Sequence, residues 1–132
     1  MSLRDDLIRD EGVRLKPYRC PAGKLSLGVG RNLDDVGISQ VEAEYLLDND
    51  IARVQRQLAD ALPWLKNRNL NIERALGNMC FQLGIGGLLK FKKMLAYLEE
   101  GDYASARKEA LDSAWAKQTP ERAKRVVELF SH

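Results

Sequence analysis

The stretch from Asp10 to Gly30 constrains the fold most, because a helical pattern ends there and a strand-like pattern begins. Before it, Ser2 can cap a first helix, and Leu3 and Leu7 have the spacing of one helix face. Gly12 follows them and is the residue type that commonly ends a helix. The sequence therefore predicts a short first helix with the carboxylate of Glu11 at its end.

The segment from about residue 17 to residue 37 predicts a small, irregular β-hairpin or short sheet. Leu25, Leu27 and Val29 alternate with small or polar residues, which is typical of a strand. Turn-forming residues interrupt the segment, namely Pro21, Gly23, Gly28 and Gly30. We therefore expect a β-rich lobe of residues 12–38.

Helices are predicted for the rest of the chain. Ser39 and Glu42 have the spacing of a capping box, so a long helix starts there and ends near Leu62, before Pro63. Its apolar face would consist of Val41, Tyr45, Ile51, Val54 and Leu58. Later helices are expected from about Ile72 to Leu83 with a stop at Gly84, before Gly101, after Asp102 and from Thr119–Pro120.

The predicted fold class is α+β, and 132 residues suit a single domain, residues 1–132. In it, helix 39–62 connects the β-rich lobe to a mostly helical lobe made of residues 1–11 and 60–132. No segment has the roughly 18 apolar residues of a membrane span, and the N-terminus shows no signal-peptide core. We therefore expect that the protein is made in the cytoplasm and does not insert stably into a membrane.

Composition excludes several kinds of site. His132 is the single histidine and the last residue, which argues against a Ser-His-Asp triad, a Cys-His site or a zinc amidase. Cys20 and Cys80 are expected to be reduced, with Cys80 in the core between Met79 and Phe81. No metal and no cofactor is predicted. A net charge of +2 without a basic recognition helix gives little support to a nucleic-acid-binding role for Arg122, Lys124 and Arg125.

Two separated motifs resemble one enzyme family. The first reads D-E-G-x-R-L-x-x-Y from Asp10 to Tyr18 and is followed by Cys20, Ser26 and the G-x-G of Gly28 and Gly30. The second comprises the segment Asn78–Gly84, Trp115 and the run Gln118–Val126. Together they are similar to the phage-type lysozymes, the T-even phage endolysin family or glycoside hydrolase family 24, over nearly the whole chain. The resemblance implies a lysozyme-like fold.

The resemblance implies that Glu11 is the general acid, which protonates the glycosidic oxygen. An acid that works near neutral pH has to keep its proton there, and partial burial favours this. Arg122 would lie against Glu11, where a cation has the opposite effect. Our hypothesis is that Arg122 positions Glu11 and that bound substrate supplies the missing desolvation. Asp10 and Arg125 would form an ion pair between the first and last helices.

Cys20 and Ser26 would handle the attacking water on the other face of the sugar. Cys20 replaces the Asp of the best-known members, although the family pattern admits Cys, and a neutral thiol stabilises a cation poorly. Ser26 replaces a Thr, which is a mild chemical change. The alternatives are that Cys20 only fills its position and that Ser26 is a strand residue bonded locally.

The remaining candidates are substrate contacts. Gly30 would let the backbone approach a sugar, and Phe81 and Gln82 match residues of the cleft wall. Phe81 can instead be a core residue, and Trp115 is expected to pack. Substrate contacts at Arg31, Asn32, Met94 and Glu109 are not carried over from the family. The stretch between Asn32 and Ile38 is shorter than in the best-known relatives, which predicts a trimmed lobe and a more open cleft.

The sequence thus predicts an endolysin, a muramidase that hydrolyses the β-1,4 bond between N-acetylmuramic acid and N-acetylglucosamine in bacterial peptidoglycan. We expect a monomer that binds no nucleic acid and is released from the host cytoplasm to the cell wall through a holin-type pore. Two alternatives remain open. One is a weakened lysozyme-fold module that only binds peptidoglycan, and the other is a lytic transglycosylase.

Overall fold

Seven helices and three strands form the part of the chain that this computed structural model describes, residues 2–131. His132, the single histidine of the sequence, lies outside that range. In chain order the elements are α1 (Leu3–Glu11), β1 (Arg14–Arg19), β2 (Leu25–Gly28), β3 (Arg31–Asn32), α2 (Gln40–Ala61), a 3₁₀ helix (Pro63–Asn67), α3 (Leu70–Leu88), α4 (Lys92–Glu100), α5 (Tyr103–Leu111), α6 (Ala114–Gln118) and α7 (Pro120–Val127). This α+β content confirms the predicted fold class.

The chain divides into two compact units, the first ending at Leu46 and the second beginning at Leu47. In this division α1 groups with the three strands. The predicted combination of residues 1–11 and 60–132 in one helical lobe, and of both lobes in one domain, stays a prediction. None of the helices among residues 2–131 is both long and apolar enough to cross a membrane.

Helix α1 begins and ends where the sequence predicts. The Oγ of Ser2 accepts a hydrogen bond from the backbone N–H of Asp5 at 3.1 Å, which caps the start. At the end, Gly12 has a φ of 73° and donates its backbone N–H to the carbonyl of Ile8. Glu11 is therefore fixed as the last helical residue, directly before the sheet.

The three strands form one antiparallel sheet in the order β1-β2-β3. Ser26 is opposite Tyr18 of β1 and Asn32 of β3, so it occupies the central strand. The register between β1 and β2 shifts between Arg14 and Tyr18, which agrees with the predicted irregularity. The sheet begins at Arg14, slightly before the predicted start near residue 17.

The predicted capping box at the start of α2 is confirmed. Glu42 donates its backbone N–H to the Oγ of Ser39 at 3.1 Å, and Ser39 donates its own N–H to Oε1 of Glu42 at 2.8 Å. Of the predicted apolar face, Val54 and Leu58 are buried, whereas Val41, Tyr45 and Ile51 are exposed. The apolar pattern of α2 therefore corresponds to burial only in its C-terminal half.

The buried hydrophobic residues belong to the second unit. Cys80 is 2% exposed, which confirms the predicted core thiol, and Trp115 is buried and stacks edge-on against Phe91. Other fully buried members are Leu58, Ile72, Leu76, Met79, Leu88, Met94, Leu98, Val126 and Phe130. Both cysteines are free thiols. This core supports the helices that carry Phe81, Gln82 and Arg122.

The helical run of α3 is interrupted at Gly84, where the sequence predicts a stop. Gly84 has a φ of 76° and a ψ of 162°, which are not helical angles, so a first helical segment ends there and a short second one continues to Leu88. Helix α6 was not predicted from the sequence. It has only five residues, too few for a periodic pattern, and Ser113 caps it through a bond from the N–H of Ala116.

Candidate active site

The carboxyl group of Glu11 lies directly over the backbone of Gly30. Gly30 is in the turn between β2 and β3, and its φ is 66°. A Cβ atom built at Gly30 would lie 2.6 Å from Oε2 and 2.9 Å from Cδ of Glu11. Cβ atoms do not approach other heavy atoms so closely, so the carboxyl uses space that only a glycine leaves.

The backbone around Cys20 forms a tight turn between β1 and β2. Cys20 donates its N–H to the carbonyl of Lys24 at 2.9 Å and accepts the N–H of Gly23 at 2.8 Å. Its pKa is lowered, chiefly by a backbone hydrogen bond from Lys24, with smaller contributions from the backbone of Ala22 and the hydroxyl of Ser26. Desolvation opposes these effects in part. The half-buried thiol is thus more easily ionised than an ordinary cysteine.

Ser26 is the one buried polar side chain among the residues that the structure describes, at 2% exposure. Its Oγ donates to the carbonyl of Lys24 at 3.2 Å, so the alternative of a locally bonded strand residue describes this contact. The same hydroxyl interacts with the thiol of Cys20. Because a hydroxyl has a single proton, Ser26 can donate a hydrogen bond either to the Lys24 carbonyl or to an ionised Cys20, but not to both at once.

The first unit therefore brings together two pairs of predicted site residues. Glu11 and Gly30 are in contact, and so are Cys20 and Ser26. Both contacts involve the central hairpin, since Ser26 lies in β2 and Gly30 in the turn that follows it. Within this unit Glu11 is exposed, so α1 and the sheet do not supply the desolvation that favours a protonated acid.

A salt bridge missed by sequence reasoning supports this hairpin. Arg31 of β3 donates to both carboxylate oxygens of Glu42, at 2.9 and 2.7 Å, and to the carbonyl of Gly37 at 3.0 Å. Arg31 holds the pKa of Glu42 well below its ordinary value, at about 2. The capping box did mark Glu42, but it gave no signal of a partner eleven residues earlier.

The second unit contains the other three predicted site residues. Phe81 is 48% exposed, so the core alternative for it is wrong. Gln82 is half-buried, and its Oε1 accepts a hydrogen bond from Nε1 of Trp115 at 2.9 Å. Trp115 therefore packs, as expected, and also orients the Gln82 amide.

Asn78 holds the side chain of Arg122, a role that the sequence did not indicate. The Nε of Arg122 donates to Oδ1 of Asn78 at 2.8 Å, and its Nη2 lies 3.4 Å from the Asn78 carbonyl. Arg122 and Phe81 line one pocket of about 560 Å³ within this unit. In α1, Asp10 pairs with its neighbour Arg9 at 2.9 Å. The predicted pairs Glu11–Arg122 and Asp10–Arg125 stay predictions.

In the range 2–131, no three His, Cys, Asp or Glu side chains are grouped so that they could hold a metal ion. The assembled chemistry is a carboxyl group on a glycine turn, together with a thiol of lowered pKa and a buried hydroxyl. These are groups that transfer or accept protons.

The chain is similar to several known proteins. The sequence profile of the phage lysozyme family matches residues 9–129. The pre-baseplate central spike protein Gp5 of Enterobacteria phage T4 is 33% identical over 98% of this chain, which spans only 28% of that protein. Probable T4-type lysozyme 2 of Dictyostelium discoideum is 32% identical, with 98% of this chain and 93% of the relative covered.

A third relative is the endolysin of Acyrthosiphon pisum secondary endosymbiont phage 1. It is 35% identical over 83% of this chain and 73% of its own length. The alignment with the Dictyostelium protein runs over 158 positions, more than the 132 residues of this chain. The chain therefore lacks residues that this relative has, and their predicted place between Asn32 and Ile38 stays a prediction.

Proposed function

This chain belongs to the phage lysozyme family and is a lysozyme-type glycoside hydrolase, a muramidase of the endolysin kind, and we propose that Glu11, Cys20 and Ser26 perform its reaction. The substrate is peptidoglycan, and the bond cleaved is the β-1,4 bond between N-acetylmuramic acid and N-acetylglucosamine. The observation that carries the assignment of the acid is the contact of the Glu11 carboxyl with the backbone of Gly30.

In the first half of the proposed reaction, Glu11 donates its proton to the glycosidic oxygen. The C–O bond to the leaving sugar breaks, and positive charge develops at the anomeric carbon. Because Glu11 is exposed in its own unit, the bound glycan has to displace water from the carboxyl. Desolvation by the substrate favours the protonated acid that the step requires.

In the second half, a water molecule attacks the anomeric carbon from the opposite face, which inverts its configuration. The water forms the new C–O bond and gives a proton to the Cys20 thiolate, whose lowered pKa supports this role. Ser26 is buried, so we assign it to the thiolate rather than to the water directly. Its hydroxyl donates to the sulfur while Cys20 is ionised. Proton exchange with solvent returns Glu11 and Cys20 to their starting states.

Arg122 is proposed to position Glu11. A guanidinium forms strong, directional hydrogen bonds with a carboxylate. The bond from Nε of Arg122 to Asn78 fixes part of that guanidinium on α3. The arrangement favours one orientation of the remaining N–H groups, which would hold the carboxyl in line with the scissile bond.

Gly30, Phe81 and Gln82 are proposed as substrate contacts. The exposed ring of Phe81 offers an apolar surface on which a sugar ring can pack. The Gln82 amide oxygen is occupied by Trp115, so its NH₂ group is the part that is directed to a hydroxyl or acetamido oxygen of the glycan. Gly30 presents backbone atoms at the acid itself.

We further propose that the protein acts as a monomer in phage lysis, with release to the wall through a holin-type pore. Product analysis tests the assigned reaction. Digestion of purified peptidoglycan should give reducing muramic acid ends, visible by mass spectrometry as incorporation of one water per cleaved bond. Anhydro ends would instead identify a transglycosylase, and sedimentation of the protein with uncleaved walls would identify a binding module.

A further inference from the structure

We propose that Gly30 is a positioning residue for the acid, because the absence of its side chain leaves the space in which the Glu11 carboxyl lies. The inference rests on the proposed function in one respect, namely that Glu11 donates the proton. It adds a role for Gly30 that is distinct from contact with a sugar. The expected consequence of filling this space is a displaced acid rather than an unfolded protein.

The contact involves the whole end of the Glu11 side chain. A Cβ at Gly30 would be 2.6 Å from Oε2, 2.9 Å from Cδ and 3.1 Å from Cγ. A rotation of the carboxyl about its own bond would move Oε2 but not Cδ or Cγ. A methyl group at this position would therefore push the carboxyl away from the turn as a unit.

Gly30 differs in this respect from the other glycines of the first unit. Gly12, Gly23, Gly28 and Gly37 also have positive φ angles, yet no heavy atom lies within 4 Å of the Cβ position of any of them. At those sites a side chain would cause only backbone strain. At Gly30 it would cause that strain and would also clash with the Glu11 side chain.

Gly37 provides the matched control. Its φ is 65°, against 66° at Gly30, and its Cβ position faces open space. An alanine at either position should therefore impose a similar backbone strain. The carbonyl of Gly37 accepts the bond from Arg31, and an alanine keeps that carbonyl. Any difference between the two variants then reports the contact with Glu11.

The test compares Gly30→Ala, Gly37→Ala and Glu11→Gln with the wild type on soluble peptidoglycan fragments, measuring kcat, KM and the pH profile. A displacement of about 1 Å at a catalytic group costs on the order of 100-fold in rate. We expect Gly30→Ala to lose about 100-fold in kcat with KM nearly unchanged, and to alter the alkaline limb of its pH profile. Gly37→Ala should keep the wild-type kcat and pH profile. Both should show the same decrease in Tm.

Equal kcat values and pH profiles in the two alanine variants, with Glu11→Gln inactive, would overturn the role of Gly30 and leave the proposed acid in place. Full activity of Glu11→Gln would overturn both. Should Gly30→Ala fold poorly, the same comparison is made in the Glu11→Ala background, which removes the contact. There Gly30→Ala should lower Tm no more than Gly37→Ala does, and a larger decrease would refute the inference.

Discussion

Arg31 and Glu42 form a bidentate ion pair, with Nη1–Oε1 and Nη2–Oε2 distances of 2.9 and 2.7 Å. The pair joins the last strand of the sheet to the first turn of α2, and Glu42 also accepts the N–H of Ser39. It therefore fixes the strand that follows the Gly30 turn. Both side chains are more than a third exposed, so the pair serves geometry more than stability.

This pair predicts acid sensitivity of folding. The pKa of Glu42 is lowered to about 2 by Arg31, below its value in the unfolded chain. A carboxyl with a lowered folded-state pKa stabilises the fold above its unfolded pKa, near 4.3, and this contribution is lost as the pH falls towards 2. The free energy of unfolding of wild type should therefore drop between about pH 5 and pH 2 in urea titrations.

Glu42→Gln is the control for that titration. It keeps the length of the side chain and removes the titrating group, so it should be less stable than wild type at pH 7 and approach it at pH 2. An unchanged difference between the two proteins at all pH values would show that the ionised pair does not contribute.

Cys20 gives the second prediction. Cys20→Ser should lose on the order of 100-fold in kcat, because a serine hydroxyl does not ionise near neutral pH and cannot accept the proton of water. Cys20→Asp should retain most of the activity, since it restores an anion at the same position. Steady-state hydrolysis of soluble glycan fragments measures both. Near-wild-type turnover by the serine variant would remove Cys20 from the mechanism.

The pH profile tests the same role independently. If the thiolate is the active form, the rate of wild type rises with pH through the pKa of Cys20, which lies below that of an ordinary cysteine. In Cys20→Asp this limb should shift to lower pH, because an aspartate ionises near pH 4. Identical acidic limbs in the two proteins would contradict the assignment.

Arg122 gives the third prediction. Arg122→Ala should lower kcat by about 10- to 100-fold, the range expected when a charge-assisted hydrogen bond to a carboxylate is lost. Removal of the cation favours the protonated acid, so the alkaline limb of the pH–rate profile should move to higher pH. Arg122→Lys retains the charge and should recover the pH profile but only part of the rate, because it lacks the planar guanidinium.

If Arg122 has only a structural role, the expected results are different. If Arg122 serves only to anchor α7 to α3 through Asn78, then Asn78→Ala and Arg122→Ala should have equal effects on Tm and neither should change the pH profile. That result would withdraw Arg122 from the site.

Local sequence signals predicted much of the fold. Ser2 with Gly12 marked α1, and Ser39 with Glu42 marked α2, because caps are formed by residues a few positions apart. Gly84 marked the end of the first helical segment of α3, but no local signal indicated that a second segment follows directly and continues to Leu88. The five residues of α6 were too few to show a period.

The site was predictable where a motif named the residue and not where distant residues meet. The motif identified Glu11 and Gly30, but it did not indicate that the first lies on the backbone of the second. The exposure of Phe81 decides between its two interpretations only in the folded structure. Likewise, the bond of Arg122 to Asn78 spans 44 residues, and no local pattern reports such a contact.

The central claim is that the proton for the leaving sugar comes from Glu11, and Glu11→Gln tests it most directly. The amide preserves the shape of the side chain and cannot donate the proton, so the lysis rate of permeabilised Gram-negative cells should fall by at least about 100-fold, with Tm nearly unchanged. Clearing of the cell suspension at the wild-type rate by this variant would contradict the account.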